Sequence, residues 1–249
     1  MSSKNPGTVN IFGVDINRLS ETEFLDIIKN SIEKNIKIKI AYANANSLNK
    51  IHSDKELKKM YESFDIIHPD GTGVYLASKF LNGDAGLKIR LTGSDFYTKL
   101  ISESIKRKWS YFFFGHTTDI LKEISKVHPD LIISGIQDGY NFEDQEVIEK
   151  INKTSPDIVI IGLSCPIQEK WMYEHQDKIN FKVMITVGDG IKVFANKKIR
   201  GPDFMRKIGM EWLSRFISNP VNNFEKYIIG NPIFIIRVLK EKLKSGLIK

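Results

Sequence analysis

The chain has 249 residues, 41% hydrophobic and 27% charged, with a formal net charge of +7 and one cysteine. That length and composition suit a soluble globular protein with a full core, as one domain or one domain plus an appendage. The lone Cys165 excludes an internal disulfide and fits a reducing cytoplasm. The opening MSSKNPGTVN holds no apolar leader core, and no apolar run reaches the roughly 20 residues of a spanning helix, so neither secretion nor membrane insertion is expected.

In chain order, SETEFLDIIKNSIEKN opens with a capping box, Ser20 with Glu23 three residues on, and places Phe24, Ile27, Ile28 and Ile32 at helical spacing. KIKIAYA (37–43) reads as a strand, and the following SLNKIHSDKELKKMYES as one helix or two short ones. FDIIH (64–68) is a strand and GVYLASKFL a helix. SDFYTKLISESIKR is a helix with Ser94 as its expected N-cap. WSYFFFG is a buried strand, followed by a helix over TTDILKEISKVH. LIISGI, DIVIIGL and KVMITVG are further strands, with helices at 143–154 and 166–178 between them. Short, apolar, β-branched strands alternating with helices predict an α/β fold: a Rossmann-like, mostly parallel sheet with helices on both faces. A C-terminal helical appendage completes it.

Ligands of such sheets bind beyond the carboxyl ends of the strands. Four polar clusters fall there: Asn44 and Asn46 after 37–43, Asp70 after 64–67, Gln168 and Glu169 after 157–161, and Asp189 after 182–187. Each could be a turn by itself, since Asn, Asp and Gly also build turns. Their convergence on one edge points to a site. A dinucleotide fingerprint is absent: GDGIKV and DGTGVYL each begin one but lack the last glycine. There is no Walker A sequence and no Asp-x-Asp pair. The histidines are scattered, so His68 and His116 read as packing or hydrogen-bonding residues rather than metal ligands. Cys165 reads as a small buried turn residue.

Charge divides the chain. Residues 197–249 carry 12 Lys+Arg against 4 Asp+Glu, net +8, while residues 1–196 carry 25 against 26, net −1. The expected organisation is a Rossmann-like domain over 1–196 and a basic, amphipathic appendage over 197–249. Such a tail meets an anionic surface, either nucleic acid or membrane. Its segment IIGNPIFIIRVL is too apolar for a phosphate-tracking arm. Pro220 and Pro232 suit first helical turns, and Gly230-Asn231 reads as a break between two helices. In the second, Ile233, Ile236, Leu239 and Leu243 share a face that Phe234, Ile235 and Val238 widen, bordered by Arg237, Lys240, Lys242 and Lys244. This is the pattern of a helix lying in a membrane interface.

ANANSLNKIHSDKEL, DIIHPDGTGVYLASKFL, KIRLTGSDF, IIGLSCPIQEKW and RGPDFMRKIGMEWLSRFISNP with YIIGNPIFIIRVL together resemble the WecG/TagA/CpsF glycosyltransferase family, in order from about residue 8 to 242. The most specific elements are Pro69-Asp70-Gly71-x-Gly73, Pro166-x-Gln168-Glu169 and Glu211-Trp212-Leu213-x-Arg215. The resemblance implies a bacterial inverting hexosyltransferase that needs no metal and no cofactor. Its donor would be a nucleotide sugar, UDP-linked, and its acceptor a polyprenyl-diphosphate-linked saccharide at the inner face of the cytoplasmic membrane. Its products would enter teichoic acid, capsule or exopolysaccharide. Nucleic acid is not an expected partner, and a homo-oligomer stays open.

Carried onto this chain, the resemblance makes Asp70 the catalytic base. Donor contacts fall to Asn44, Asn46, Gly71, Thr72, Gly73, Arg90, Gly93, Asp95, Gln168, Glu169, Gly188 and Asp189, with Arg90 against the leaving diphosphate. Arg215 and Lys192 fall to the acceptor diphosphate. The chain departs from the family pattern at Asn44-Ala45-Asn46, where Thr-x-Asn is usual. It departs again at Gly188 to Val193, where Lys192 replaces an acid. In the tail, Asn222, Asn223 and Glu225 stand where arginines are common. The donor sugar therefore stays open among N-acetylmannosamine, its uronic acid, glucose and mannose.

Overall fold

The computed structural model describes residues 7–247; the leader reading of residues 1–6 and the charge of Lys249 lie outside them. A six-stranded parallel sheet forms the centre. Its strands are β3 (Ile38–Ala43), β4 (Ile66–Pro69), β5 (Ser110–Gly115), β6 (Ile132–Gln137), β7 (Ile158–Gly162) and β8 (Val183–Thr186), in the order β4-β3-β8-β7-β5-β6. Pairing in register, for example Tyr42 with His68 and Ile161 with Thr186, brings the strand ends to one edge. Alternation along β5 sends Tyr111 and Phe113 to one face and Phe112 and Phe114 to the other, each fully buried among helix side chains. Burial on both faces is why the inner strands β5, β7 and β8 are almost entirely apolar.

An antiparallel hairpin, β1 (Thr8–Ile11) with β2 (Val14–Asn17), precedes the sheet and is not in the sequence reading. Its signal is present: Val9, Ile11, Val14 and Ile16 alternate inward, and Phe12-Gly13 both take positive φ (57° and 78°), the two-residue turn whose twist suits a hairpin. Asn17 Oδ1 accepts the Ile67 N–H at 2.8 Å, satisfying a donor on the edge strand β4.

The expected helix at the first capping box runs Glu21–Glu33, with Ser20 Oγ accepting the Glu23 N–H and Glu23 Oε2 accepting the Ser20 N–H. The next segment is two helices, Ala45–Ser53 and Lys55–Glu62, the second capped by Asp54. One cap differs from expectation. The helix Gly93–Arg107 is capped by Thr92, not Ser94: Thr92 Oγ1 accepts the Asp95 N–H, and Ser94 is buried in the first turn. Thr92 three residues before Asp95 is itself a capping pattern.

The tail departs once. The expected break at Gly230-Asn231 is a π-helical turn, Glu225–Ile229, joining Pro220–Phe224 to the long helix Gly230–Leu247. Pro232 has no N–H to give the helical ladder, and widening the preceding turn lets the Gly230 N–H reach the Glu225 carbonyl instead. The long helix lies on the α/β core. Phe234 and Val238 are buried, Arg237 donates to the Asn49 carbonyl (2.6 Å) and Ser53 Oγ (2.8 Å), and Glu241 accepts the Phe12 N–H. Its opposite face, with Ile236 and Leu243, is exposed. No helix among the described residues is long and apolar enough to cross a membrane.

Candidate active site

Asp70 is the first residue past β4. Its N–H continues the ladder to the Ala43 carbonyl at 2.8 Å, and the next amide, Gly71, donates to the Leu91 carbonyl. Its side chain is aimed by a third segment: Oδ1 accepts the Gly93 N–H at 2.9 Å, at the positive end of the helix Gly93–Arg107. The carboxylate is thus fixed by the sheet behind it and by a helix N-terminus beside it. Gly71 has φ +94°, a conformation that side chains rarely adopt, although a Cβ there would meet nothing within 4 Å. The requirement for glycine is therefore one of backbone, and the space beside it is open.

That space is a cavity of about 500 Å³. Its polar lining includes Asp70, Asn44, Asn46, Thr72, Glu211, Arg215 and Lys226. Its apolar end is walled by the helices Thr72–Asn82 and Gly230–Leu247. The helix Thr72–Asn82 begins there without a side-chain cap, so no side chain satisfies its first amides.

The sequence-derived residues separate into three groups. Asn44, Asn46, Asp70, Gly71, Thr72, Gly73 and Arg215 line the cavity together. Asn44 also caps the helix Ala45–Ser53, its Oδ1 accepting the Ser47 N–H, so the turn reading holds for that oxygen. Arg215 donates to Glu211 Oε1 at 2.6 Å. Behind Asp70 lie Gly93 and Arg90; Arg90 donates to Thr72 Oγ1 (3.4 Å) and to the Arg206 carbonyl (2.5 Å). Asp95 pairs with Arg200 beside them.

The third group does not reach the cavity. Gln168 and Glu169 are fully buried, against the expectation that they present hydrogen-bonding atoms to a ligand. Gln168 Nε2 donates to Glu169 Oε1 (2.8 Å), and Gln168 Oε1 accepts the Gly188 N–H (2.9 Å). The helix Ile167–His175 starts at Pro166 with that face inward, so the pair props the β8 turn from below. Gly188 has φ +54°, and a Cβ there would stand 2.8 Å from the Tyr42 hydroxyl. Asp189 is held by Lys198 and, at 2.9 Å, by Lys192. Burial works to raise the Asp189 pKa, but Lys198 and then Lys192 outweigh it and hold it at about 2. Burial likewise brings Lys198 down to about 8, against the pull of Asp189. Lys192 is thus occupied by its own neighbour, not by the cavity.

Burial pushes the Glu169 carboxyl above the ordinary value of 4.5, with hydrogen bonds from Gln168 and others opposing it. Its folded form holds a proton that its unfolded form releases. The stability this gives is complete below 4.5 and is lost as pH rises through the elevated folded value. Glu169→Gln, which keeps the oxygen that Gln168 and Tyr61 bond, removes that ionisation. Thermal melts from pH 4 to 9 should show the wild type losing a few degrees relative to the variant toward the alkaline end. Parallel curves would mean that Glu169 does not titrate on unfolding.

The model of the family described as "Glycosyl transferase WecG/TagA/CpsF family" matches residues 9–247. The chain belongs to this family. It is a glycosyltransferase. It is 30% identical over 226 residues to an N-acetylglucosaminyldiphosphoundecaprenol N-acetyl-beta-D-mannosaminyltransferase of Bacillus subtilis (strain 168), covering 89% of this chain and 87% of that protein. Proteins of the same description from Bacillus spizizenii (28%, covering 74% and 72%) and Staphylococcus aureus strain MRSA252 (26%, covering 96% and 95%) are also similar. The nucleic-acid alternative is not favoured. The tail's basic groups are largely engaged within the protein, Lys198, Arg200, Arg206 and Arg215 in ion pairs and Arg237 on backbone, while the exposed face is apolar.

Sequence reasoning about this enzyme missed Lys226, Tyr227, Leu76, Phe80 and Phe234 as cavity residues. Leu76, Phe80 and Phe234 carry only an apolar helical pattern. Lys226 and Tyr227 arrive through the π turn, which no sequence spacing announces.

Proposed function

We propose that this glycosyltransferase moves N-acetylmannosamine from a UDP-linked donor to N-acetylglucosamine carried on undecaprenyl diphosphate, with inversion, in bacterial cell-surface polymer synthesis. The sugar and acceptor follow the description of its relatives. The observation that carries the reaction is Asp70, aimed by the Gly93 amide into the polar end of a cavity whose other end is apolar. Asp70 takes the proton of the acceptor hydroxyl as its oxygen attacks the anomeric carbon; the bond to the donor diphosphate breaks and UDP leaves. The uncapped amides at Thr72 and Gly73 face the charge that develops on the leaving group, and Arg90 acts from behind them by holding the Thr72 hydroxyl. Arg215 and Lys226 hold the diphosphate of the acceptor. Gln168 and Glu169 act from below by fixing the Gly188 turn; Asp189, which Lys192 also pairs, and Asp95 tie Lys198 and Arg200 to the sheet edge.

Residues 1–196 are the catalytic body in this reading. Residues 197–249 complete the cavity and rest the enzyme on the inner face of the cytoplasmic membrane through the exposed face of the long helix.

The test is transfer to a lipid-linked N-acetylglucosamine diphosphate, with UDP-N-acetylmannosamine compared against its uronic acid and against glucose and mannose donors. Product is expected with the first donor, in full in EDTA, since among the described residues no group of three His, Cys, Asp or Glu is placed to hold a metal. Activity lost in EDTA and restored by Mg²⁺ would refute metal independence. No product with any donor would overturn the reading.

A further inference from the structure

Resting on that reading, we infer that the apolar end of the cavity seats the first isoprene units of the acceptor lipid. The acceptor's chain would then be bound by protein as well as by the bilayer. The two walls are built alike. Leu76 and Phe80, four residues apart on the helix Thr72–Asn82, form one, and Ile235 and Leu239, four apart on Gly230–Leu247, form the other. Buried Phe234 makes the floor between them.

All four wall residues are about half exposed, at 58%, 48%, 57% and 48%, although the helices that carry them meet at Phe234 beside Gly73 and at Lys242 beside Phe80, so the four side chains are left open to an occupant between those two contacts. Hydrocarbon is the chemistry that such walls recognise. Three of the four, Leu76, Ile235 and Leu239, are aliphatic and offer a nucleotide or a sugar neither a hydrogen bond nor a ring to stack on. The groove is continuous with Asp70, Arg215 and Lys226, so a chain lying in it would deliver an attached diphosphate to the cations and a sugar to the carboxylate. From Gly73 to Phe80 it runs about 10 Å along the helix. Lys242 stands at the far end, its Nζ 5.8 Å from the Phe80 ring and bonded to the Leu81 carbonyl, where the chain would pass into the lipid phase.

The bilayer itself is a poorer occupant. A bilayer takes a convex face, and the convex apolar residues of the long helix, Ile236 and Leu243, lie on another side and outside the cavity.

The test uses the full chain without vesicles or detergent, with farnesyl diphosphate and inorganic diphosphate as probes and UDP binding measured on the same samples. Farnesyl diphosphate should bind at least about tenfold more tightly than diphosphate. The double variant Leu76→Ser with Phe80→Ser, at positions too exposed to be needed for folding, should lose that preference. Ile36→Ser, an equally exposed apolar position elsewhere, should keep it. Equal affinities in the wild type overturn the inference. So does a preference that survives the double variant, or one that tracks formation of a dimer in sedimentation. If UDP binds and only the preference is missing, the groove alone is wrong. A preference that persists without UDP binding keeps the groove and removes the UDP-linked donor from the proposed function.

Discussion

Asp70→Asn should lower turnover by roughly 10²–10⁴-fold, the usual cost of losing a general base, while leaving donor affinity close to that of the wild type. The split between the two effects follows from the geometry. Asparagine keeps an oxygen to accept the Gly93 N–H, so the β4 turn and the start of the helix Gly93–Arg107 stay where they are. The neighbouring Asp70 backbone bond to Ala43 is untouched by the change. What disappears is the capacity to take a proton. A structural role for Asp70 as a turn or cap residue predicts something else: little change in rate, or a fall in rate that follows a fall in melting temperature. Single-turnover rates and UDP titrations on the purified variant separate these outcomes. Near-normal turnover would remove Asp70 as the base.

Ending the chain before Pro220 should abolish binding to anionic vesicles and cut transfer to a lipid-linked acceptor by about a hundredfold or more, because the wall of the cavity and the membrane contact leave together. Lys226, Tyr227, Phe234, Ile235 and Leu239 all belong to the deleted part and all line the cavity. Each basic residue near an anionic surface adds on the order of 1 kcal/mol of attraction. Of the four that border the apolar stripe, Arg237 is committed to Asn49 and Ser53, and Lys242 bonds the Leu81 carbonyl. On the proposed docking, Lys240 and Lys244 should carry more of the attraction, and Ile236 and Leu243 should supply the buried area.

The truncated protein should also melt earlier, since losing buried Phe234 and Val238 removes roughly 1.5–3 kcal/mol each. A full-length variant, Ile236→Glu with Leu243→Glu, avoids that complication. It should come off the vesicles with its melting temperature unchanged and keep transfer to a short, water-soluble acceptor. Co-sedimentation of either variant at the wild-type level would show that the long helix is not the membrane contact.

The sheet was legible in the sequence because its signal is local. Residues such as Phe112 to Phe114 and Val159 to Ile161 are apolar without alternation, and only a strand covered on both faces tolerates that. The capping box at Ser20 is legible for the same reason, since its partners lie three residues apart, whereas the sequence left one helix or two open where Asp54 divides Ala45–Ser53 from Lys55–Glu62. Asp70 was legible as a carboxylate between a strand and a glycine turn. Its aim was not, because the Gly93 amide that fixes it is 23 residues away.

The same limit explains the residues that moved. Gln168 and Glu169 look like ligand-binding groups at a strand end, yet the direction in which their helix turns them depends on β8 and Tyr61, far away in the chain. Lys192 and Asp189 neutralise each other on one short turn, where the sequence alone offered both to a substrate. The tail's apolar residues formed one broad stripe in the sequence. Packing on the core divided them into a buried side at Phe234 and Val238, a cavity wall at Ile235 and Leu239, and an outward side at Ile236 and Leu243. Periodicity in a sequence gives the faces of a helix, but which face is covered is decided by the surface it meets. The residues that meet this one, Asn49, Phe12 and Gly73, lie some 160 to 230 positions away from their partners.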